Sequence, residues 1–376
     1  MTTAERLGHG YPTVGVEEEF LLVDADGHLS ARGPEVLGDT QRGSGEVQCE
    51  LARCQVESAT SVCGNAGELL ADLRSLRARL AASARHRGLR VLAVGAPVLA
   101  ESRPPPVTPE RRYRRMAEHF GAIVDSGGIC GCHVHVAIPD RETGVRVSNH
   151  LRPWLPVLLA LTANSPFSGG ADTGYASWRQ VTWSRWPSAL PTPLFASLAD
   201  YEARVRGLLD SGAALDRGMI YWDIRLSEHN PTLEVRVCDV AATAEEAALI
   251  AVLVRGLVSA GLGDVAAGRR PPDLPVEALV GQLWRAARGG LEGRCADPET
   301  GELTPARVLL KRLLERVRPD LAECGDLDFA ESALAALYRM GDGARRQRMA
   351  FRRRESLTDV VNHIAATTCA DLVEIA

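Results

Sequence analysis

The sequence predicts an α+β protein: a largely antiparallel sheet with helices massed on one side of it. Three observations lead there. Segments with strand character come early and are interleaved with helical ones. Hairpin connections, rather than regular βαβ units, join several of them. From Thr243 onward the chain reads as helices only.

At 376 residues and 45% hydrophobic composition, the chain can bury a large core. The expected organisation is a single domain over 1–376, with the sheet within about 12–240 and a helical part over about 241–376. A net charge of −5 makes no global case for a nucleic-acid or membrane partner. Met1 to Gly10 lacks the apolar stretch of a secretory signal. No charge-free apolar run of about 18 residues occurs. The nine cysteines are odd in number and scattered, so free thiols and a reducing, cytoplasmic setting are expected. A homo-oligomer is left open.

The first strand covers residues 12–24 and ends in the hairpin signal Asp24-Ala25-Asp26-Gly27, with His28 to Ser30 returning. Residues 46–58 read as two short strands or one bulged one. Glu50 and Glu57 are seven residues apart there, so a regular strand would put them on opposite faces. Ala66 to Arg87 places Leu69, Leu70, Leu73, Leu76 and Leu80 at helical spacing. Leu89 to Val94 is a short strand. Thr108-Pro109-Glu110 reads as a helix start, with Thr108 as cap, and that helix runs to about Asp125. Ile129 to Ile138 is the next strand. Two helices follow, the second being Pro153 to Thr162. Residues 164–194 show little periodicity, yet four aromatics (Tyr175, Trp178, Trp183 and Trp186) argue against disorder. A helix over Leu198 to Leu209 leads to a hairpin of strands Met219 to Leu226 and Thr232 to Asp239. The remaining helices fall at about 243–263, 276–289, 304–317, 328–340 and 356–370.

Side chains alternate across a strand. In Val14 to Val23 this puts Glu17 and Glu19 on one face, with Val16, Glu18, Phe20 and Leu22 on the other. Two carboxylates on one face of an otherwise apolar strand are costly unless something positive lies between them. The same arrangement recurs. His133 and His135 share a face, away from Cys132, Val134 and Val136. Glu234, Arg236 and Cys238 share a face, away from Leu233, Val235 and Val237. If these faces line one concave sheet, with Glu50 and Glu57 joining, the site holds several carboxylates, imidazoles and an arginine. Oxygen ligands in that number suit Mg²⁺ or Mn²⁺. An arginine beside such ions is suited to a phosphoryl oxygen. The chemistry implied is phosphoryl transfer from a nucleotide.

Competing readings are weaker. Cys130-Gly131-Cys132-His133-Val134-His135 looks like a zinc site, but alternation sends Cys132 away from both histidines. No P-loop, no dinucleotide fingerprint and no nucleophile elbow occurs. Six arginines between Arg345 and Arg354 form a basic patch, read as a solvated helix face ahead of a nucleotide or nucleic-acid contact.

At this point the residues resemble a family. Gly15-Val16-Glu17-Glu18-Glu19-Phe20 is similar to the opening motif of the carboxylate–amine ligases of the glutamate–cysteine ligase type 2 family. The likeness continues through Gln55-Val56-Glu57, Gly131-Cys132-His133-Val134-His135-Val136 and Leu161-Thr162-Ala163-Asn164-Ser165-Pro166-Phe167. Asp172-Thr173-Gly174-Tyr175-Ala176-Ser177, Arg185-Trp186-Pro187, Tyr221-Trp222-Asp223-Ile224-Arg225 and Pro231-Thr232-Leu233-Glu234-Val235-Arg236 complete it, over about residues 12–370.

The resemblance implies a glutamine-synthetase-like sheet curved into a half-barrel, its inner face holding ATP and Mg²⁺ (or Mn²⁺). It implies metal carboxylates at Glu17, Glu19, Glu50, Glu57 and Glu234, joined by His133. It places Arg236 on the transferring phosphate, with Glu57 and Arg225 in the catalytic set. His133, His135, Asn164, Tyr175, Arg185 and Arg236 become nucleotide or substrate contacts, with Thr173 beside them. Ser168 stands where an aromatic is common in the family, which leaves substrate identity open. The activity implied is ATP-dependent amide formation through an acyl phosphate, glutamate and cysteine being the default acid and amine. Two other classes stand beside it. One is a metal-dependent hydrolase using His133 and His135, which would turn over without ATP. The other is a catalytically silent binding protein of the same fold.

Overall fold

The computed structural model describes residues 10–38, 45–125 and 128–370. Strand β1 (Val14–Val23) alternates buried and half-buried positions until its end, where it is buried throughout. The short helix α1 (Gly33–Gly38) leads to β2 (Glu46–Cys49) and β3 (Gln55–Ala59), which pair antiparallel. The 46–58 stretch is therefore two strands and not one bulged one. The reversal between them, rather than a bulge, brings Glu50 back beside Glu57. Helix α2 (Ala66–His86) starts on Asn65, whose side chain accepts from the Glu68 amide at 2.9 Å. Leu69, Leu73, Leu76 and Leu80 are all buried on it, as their spacing predicts.

Strand β4 (Arg90–Leu92) precedes α3 (Arg111–Phe120) and α4 (Ala122–Asp125). Thr108 does not cap α3. Its hydroxyl donates to the Glu50 carbonyl at 2.5 Å, and Glu110 is the residue at the helix start. The expected single helix breaks at Gly121, which takes a positive φ of 55°. Strand β5 (Gly131–Ala137), α5 (Arg141–Leu151), α6 (Leu155–Thr162) and the two-residue strands β6 (Phe167–Ser168) and β7 (Ala171–Asp172) follow. Helix α7 (Trp178–Trp183) and α8 (Leu198–Asp210) lead to β8 (Ile224–Leu226) and β9 (Thr232–Asp239). The strand expected from Met219 is shorter, because Arg217–Met219 forms a 3₁₀ turn.

The tail contains α9 (Ala244–Ala266), α10 (Val276–Gly289), β10 (Arg294–Ala296), β11 (Leu303–Pro305), α11 (Ala306–Cys324), α12 (Leu327–Met340), α13 (Gly343–Arg352) and α14 (Leu357–Thr368). The all-helical expectation is thus corrected by one hairpin, β10–β11. Three residues a side leave no periodicity to read.

The main sheet has the order β2-β3-β1-β5-β9-β8, with β4 on the far end of β1, and all its pairings are antiparallel. It is open, because β2 and β8 do not join. Val16 of β1, Val134 and Val136 of β5, and Leu233 and Val235 of β9 are buried in one core cluster with the apolar residues of α6 and α9. Helix α9 is long and apolar enough to cross a membrane by composition, with mean hydropathy 1.8 over an 18-residue window. However, 83% of that window is buried inside the protein, where α9 packs on β1, β5, α2, α5 and α11.

One register shift matters for the site. Cys132 pairs with Cys238 and Val134 with Val235, so His133 alone opposes both Arg236 and Val237. This is a β-bulge in β9. It turns Cys238 to the reverse face, opposite Cys132, where both are fully buried. Strict alternation had placed Cys238 beside Arg236. A bulge of one residue is invisible to a period-two reading.

Candidate active site

The front of the sheet walls a cleft of about 680 Å³, lined by Glu17, Glu19, Glu50, Glu57, His133, Arg225 and Arg236 among others. Register alone explains most of this meeting. Glu19 lies directly opposite Glu57, Glu17 opposite His133, His135 opposite Glu234, and Glu234 opposite Arg225. Directly paired strand residues point to the same face. The candidate ligands thus form rows across four neighbouring strands. Glu50 joins from the end of β2.

Three overlapping groups each bring three ligand atoms within 4.8 Å of one another: Glu17, His135 and Glu234; Glu17, Glu57 and His133; Glu19, Glu50 and Glu57. Glu17 and Glu57 are each shared by two groups. His133 Nδ1 lies 3.2 Å from Glu17 Oε2 and 3.3 Å from Arg236 Nη1. Its Nε2 is buried with no hydrogen-bond partner. Burial, then the nearby Arg236 charge, push His133 down to about 4, so the ring is neutral at physiological pH. With Nδ1–H donated to Glu17, Nε2 offers a lone pair to a metal or nucleotide. His135 Nε2 lies 3.2 Å from Glu17 Oε1, and its Nδ1 is 3.0 Å from the Thr232 hydroxyl.

The carboxylates divide into two kinds. Burial opposes ionisation of Glu17, but the hydrogen bond with His133 and the close His135 ring outweigh it and hold the carboxyl well below its usual range. Burial likewise opposes ionisation of Glu234, and the charges of Arg225 and Arg236 overcome it. Arg225 donates to both Glu234 oxygens, at 2.6 and 3.1 Å, and Arg236 pairs with the same carboxylate. At the other end, burial and then Glu50 push Glu19 up to about 7. Burial raises Glu50, and burial with Glu50, Glu17 and Glu19 raises Glu57 well above the usual range. Crowded carboxyls that resist ionisation are what a bound divalent cation would relieve. The donor set, mostly oxygen with two imidazoles, fits Mg²⁺ or Mn²⁺. The zinc reading of Cys130 and Cys132 does not fit, because both thiols are buried away from the histidines.

The structure does not bring every expected residue into the cleft. Asn164 is buried, with its amide donating to the Ala93 and Val240 carbonyls, both at 2.9 Å, and its oxygen accepting from Gln347. It ties the loop to the helical part, with both ends of its side chain hydrogen-bonded inside the protein. Thr173 donates to the Pro166 carbonyl at 2.9 Å. Tyr175 accepts from Trp284 Nε1 at 3.1 Å, at α10. The reason is Asp239, which accepts from the Asn164 amide and the Ser165 and Ser177 hydroxyls and so draws this half of the loop off the cleft. Arg185 is exposed and lines a neighbouring groove with Arg103 and Trp178, while Trp183 and Trp186 line the cleft itself. Four arginines of the basic patch are ion-paired: Arg345 with Glu292, Arg346 with Glu246, Arg348 with Asp172 and Arg354 with Asp359.

Other residues escaped sequence reading. Gln48 donates to Glu57 at 2.5 Å from the facing strand position. Arg179 is almost fully buried, against Gly131 and Trp183. Asp223 is buried with one oxygen unpartnered, and burial pushes it up to about 7. A lone polar residue in a short strand, a short helix or the bend before a strand carries no periodic signal that could have marked it.

Comparison with solved structures first defines the class. The chain superposes on a bifunctional glutathione synthetase from Pasteurella multocida with a TM-score of 0.69 at 15% identity, over 95% of this chain and 53% of that one. It superposes on a glutamate–cysteine ligase from Francisella tularensis, solved with AMP, with a TM-score of 0.67 at 13% identity, over 96% and 89% of the two chains. The fold is that of the glutamine-synthetase-like ligases. Sequence comparison narrows this. Residues 13–363 match the model of glutamate–cysteine ligase family 2. "Putative glutamate--cysteine ligase 2-1" of Rhodococcus jostii is 53% identical over 93% of this chain and 95% of its own length. The protein of the same name in Saccharopolyspora erythraea is 51% identical over 96% and 95%. The chain belongs to glutamate–cysteine ligase family 2 and is an ATP-dependent carboxylate–amine ligase.

Proposed function

We propose that this ligase activates a carboxylic acid as an acyl phosphate and then transfers the acyl group to an amine, with glutamate and cysteine as default substrates and Mg²⁺ or Mn²⁺ as the cation. The observation that supports this most is the three overlapping ligand groups that share Glu17 and Glu57, with Arg236 at their edge. Bound cations would supply neutralisation of the triphosphate and of the charge that shifts during transfer. The chain's own residues do the rest. Glu17, Glu19, Glu50, Glu57, Glu234 and His133 hold the cations. Arg236 donates to the moving phosphoryl group, and Arg225 keeps Glu234 ionised and in place. The acid's carboxylate attacks the γ-phosphorus, ADP leaves, and the acyl phosphate forms. The amine, having lost a proton, attacks the acyl carbon, and phosphate departs.

The test is ADP release from ATP across a panel of amino acids and amines, with mass detection of the amide. EDTA should abolish release, and Mg²⁺ or Mn²⁺ should restore it. Turnover restored by Zn²⁺ without any nucleotide would favour the hydrolase. Neither nucleotide binding nor turnover would favour the silent binding protein.

A further inference from the structure

We propose that Arg179 is a positioning residue for Arg236, holding the β9 bulge that aims the Arg236 guanidinium into the cleft. The proposal rests on the ligase reading only for the role that reading gives Arg236.

The bulge is the starting point. A bulge interrupts the ladder, so its backbone polar groups need partners from elsewhere. The two residues of β9 that oppose His133 are Arg236 and Val237. Their carbonyls accept from one guanidinium: Arg179 Nη2 reaches the Arg236 oxygen at 3.2 Å and Nη1 the Val237 oxygen at 3.4 Å. A planar fork with two donors suits two successive carbonyls. Arg179 is 1% exposed, so this contact is built into the interior.

Two neighbours fit the same role. Trp183 lies under both arginines, its ring centre 5.5 Å from the Arg179 guanidinium carbon and 5.9 Å from that of Arg236. Gly131 leaves room for Arg179, because a Cβ there would come within 2.4 Å of Nη2. The same glycine's amide donates to Glu19 at 2.6 Å. Gly131 therefore touches both a cluster carboxylate and the arginine that holds the bulge carbonyls.

A competing role is countercharge alone, since the Arg179 charge also favours ionisation of Glu19 and Asp239. Lysine at 179 keeps the charge but loses the fork, and alanine at 131 keeps the arginine but displaces it. The experiment compares Arg179→Lys, Gly131→Ala, Arg236→Lys and the double variant Arg179→Lys/Arg236→Lys. It reads melting temperature, kcat, KM for MgATP, and the crystal structure of Gly131→Ala. Both Arg179→Lys and Gly131→Ala should fold and lose about 10- to 100-fold in kcat, as a misplaced catalytic group does. Their KM for MgATP should move by less than roughly threefold. The double variant should be no slower than Arg236→Lys, because one residue acts through the other. The Arg236 guanidinium should be displaced in the Gly131→Ala crystal. Near-normal kcat in both single variants, multiplicative losses in the double, or an unmoved Arg236 would each overturn the proposal. If Arg179→Lys does not fold, Gly131→Ala decides. A wild-type chain with no ATP-dependent turnover would sink the ligase reading instead, and the crystal structure would then decide this one.

Discussion

Glu18 and Arg77 form a buried, two-point ion pair on the reverse side of the strand that carries Glu17 and Glu19. Arg77 donates to the two Glu18 oxygens at 2.6 and 3.0 Å, and both side chains are at most 2% exposed. The same guanidinium donates to the Ala241 and Ala242 carbonyls, joining β1 to the start of the helical part. A run of three carboxylates is thus split by strand alternation. Two face the cleft and the middle one anchors α2. Arg77→Met should therefore cost about 3–5 kcal/mol, because it leaves a buried charge unpaired. The double variant Glu18→Leu/Arg77→Met should recover much of that loss. Urea unfolding measures both, and an Arg77→Met variant within about 1 kcal/mol of wild type would show that the pair is not what holds β1 to α2.

Glu17→Gln and Glu19→Gln should each cut turnover by orders of magnitude while the fold survives. The substitution keeps the shape and removes the charge proposed to hold a cation. Glu17 is shared between two ligand groups, so its loss should weaken Mg²⁺ dependence most. Titrating Mg²⁺ against initial rate separates this from misfolding. Near-wild-type rates for both variants at limiting Mg²⁺ would remove the metal assignment.

With Mg²⁺ at the proposed site, the crowded carboxyls should make its stabilising effect depend on pH. Glu19 is raised to about 7, and Glu50 and Glu57 are raised as well, all chiefly by burial. A raised carboxyl pKa means that the folded state holds the proton more tightly than the unfolded chain. The stability it contributes is present below the unfolded value, near 4.3 for Glu. It is lost as pH climbs through the folded value, about 7 for Glu19. The metal-free protein should lose stability over that window, and a bound cation should restore it. The rise in melting temperature on adding Mg²⁺ should be larger at pH 8 than at pH 5.5. An equal rise at both would argue against cation binding at Glu19, Glu50 and Glu57.

Arg236→Lys should fold normally and turn over about 10²-fold or more slowly, as expected for losing a transition-state donor. The pairing of Arg236 with Glu234 makes a purely structural role the alternative. Arg225 holds the same carboxylate, so Glu234 stays neutralised in the variant. Melting temperature and turnover are measured together. A large fall in stability with near-normal turnover would take Arg236 out of the chemistry.

Thiol titration of the unfolded, non-reduced protein should find close to nine free cysteines. Cys132 and Cys238 are strand partners but fully buried, and burial raises both thiols, so neither is primed to oxidise. Several stable bridges would overturn the expectation of a reducing setting.

By itself the sequence determined which residues share a face wherever a strand is regular. Alternation along a strand is a local property, so Glu17 with Glu19, His133 with His135, and Glu234 with Arg236 could be paired without knowing any partner strand. The long helices were equally legible, as with the leucines of α2. Tertiary structure decided what lies beside what. Antiparallel register set Glu19 against Glu57 and His135 against Glu234, and no local pattern states a register between residues 38 and 99 positions apart. The chain reversal after β2, not a bulge, brought Glu50 into the cluster. A single extra residue in β9 sent Cys238 to the reverse face and left the adjoining carbonyls to Arg179. Asp239 drew Asn164 and Ser177 together away from the cleft, because a buried carboxylate must find its donors wherever the packed chain supplies them.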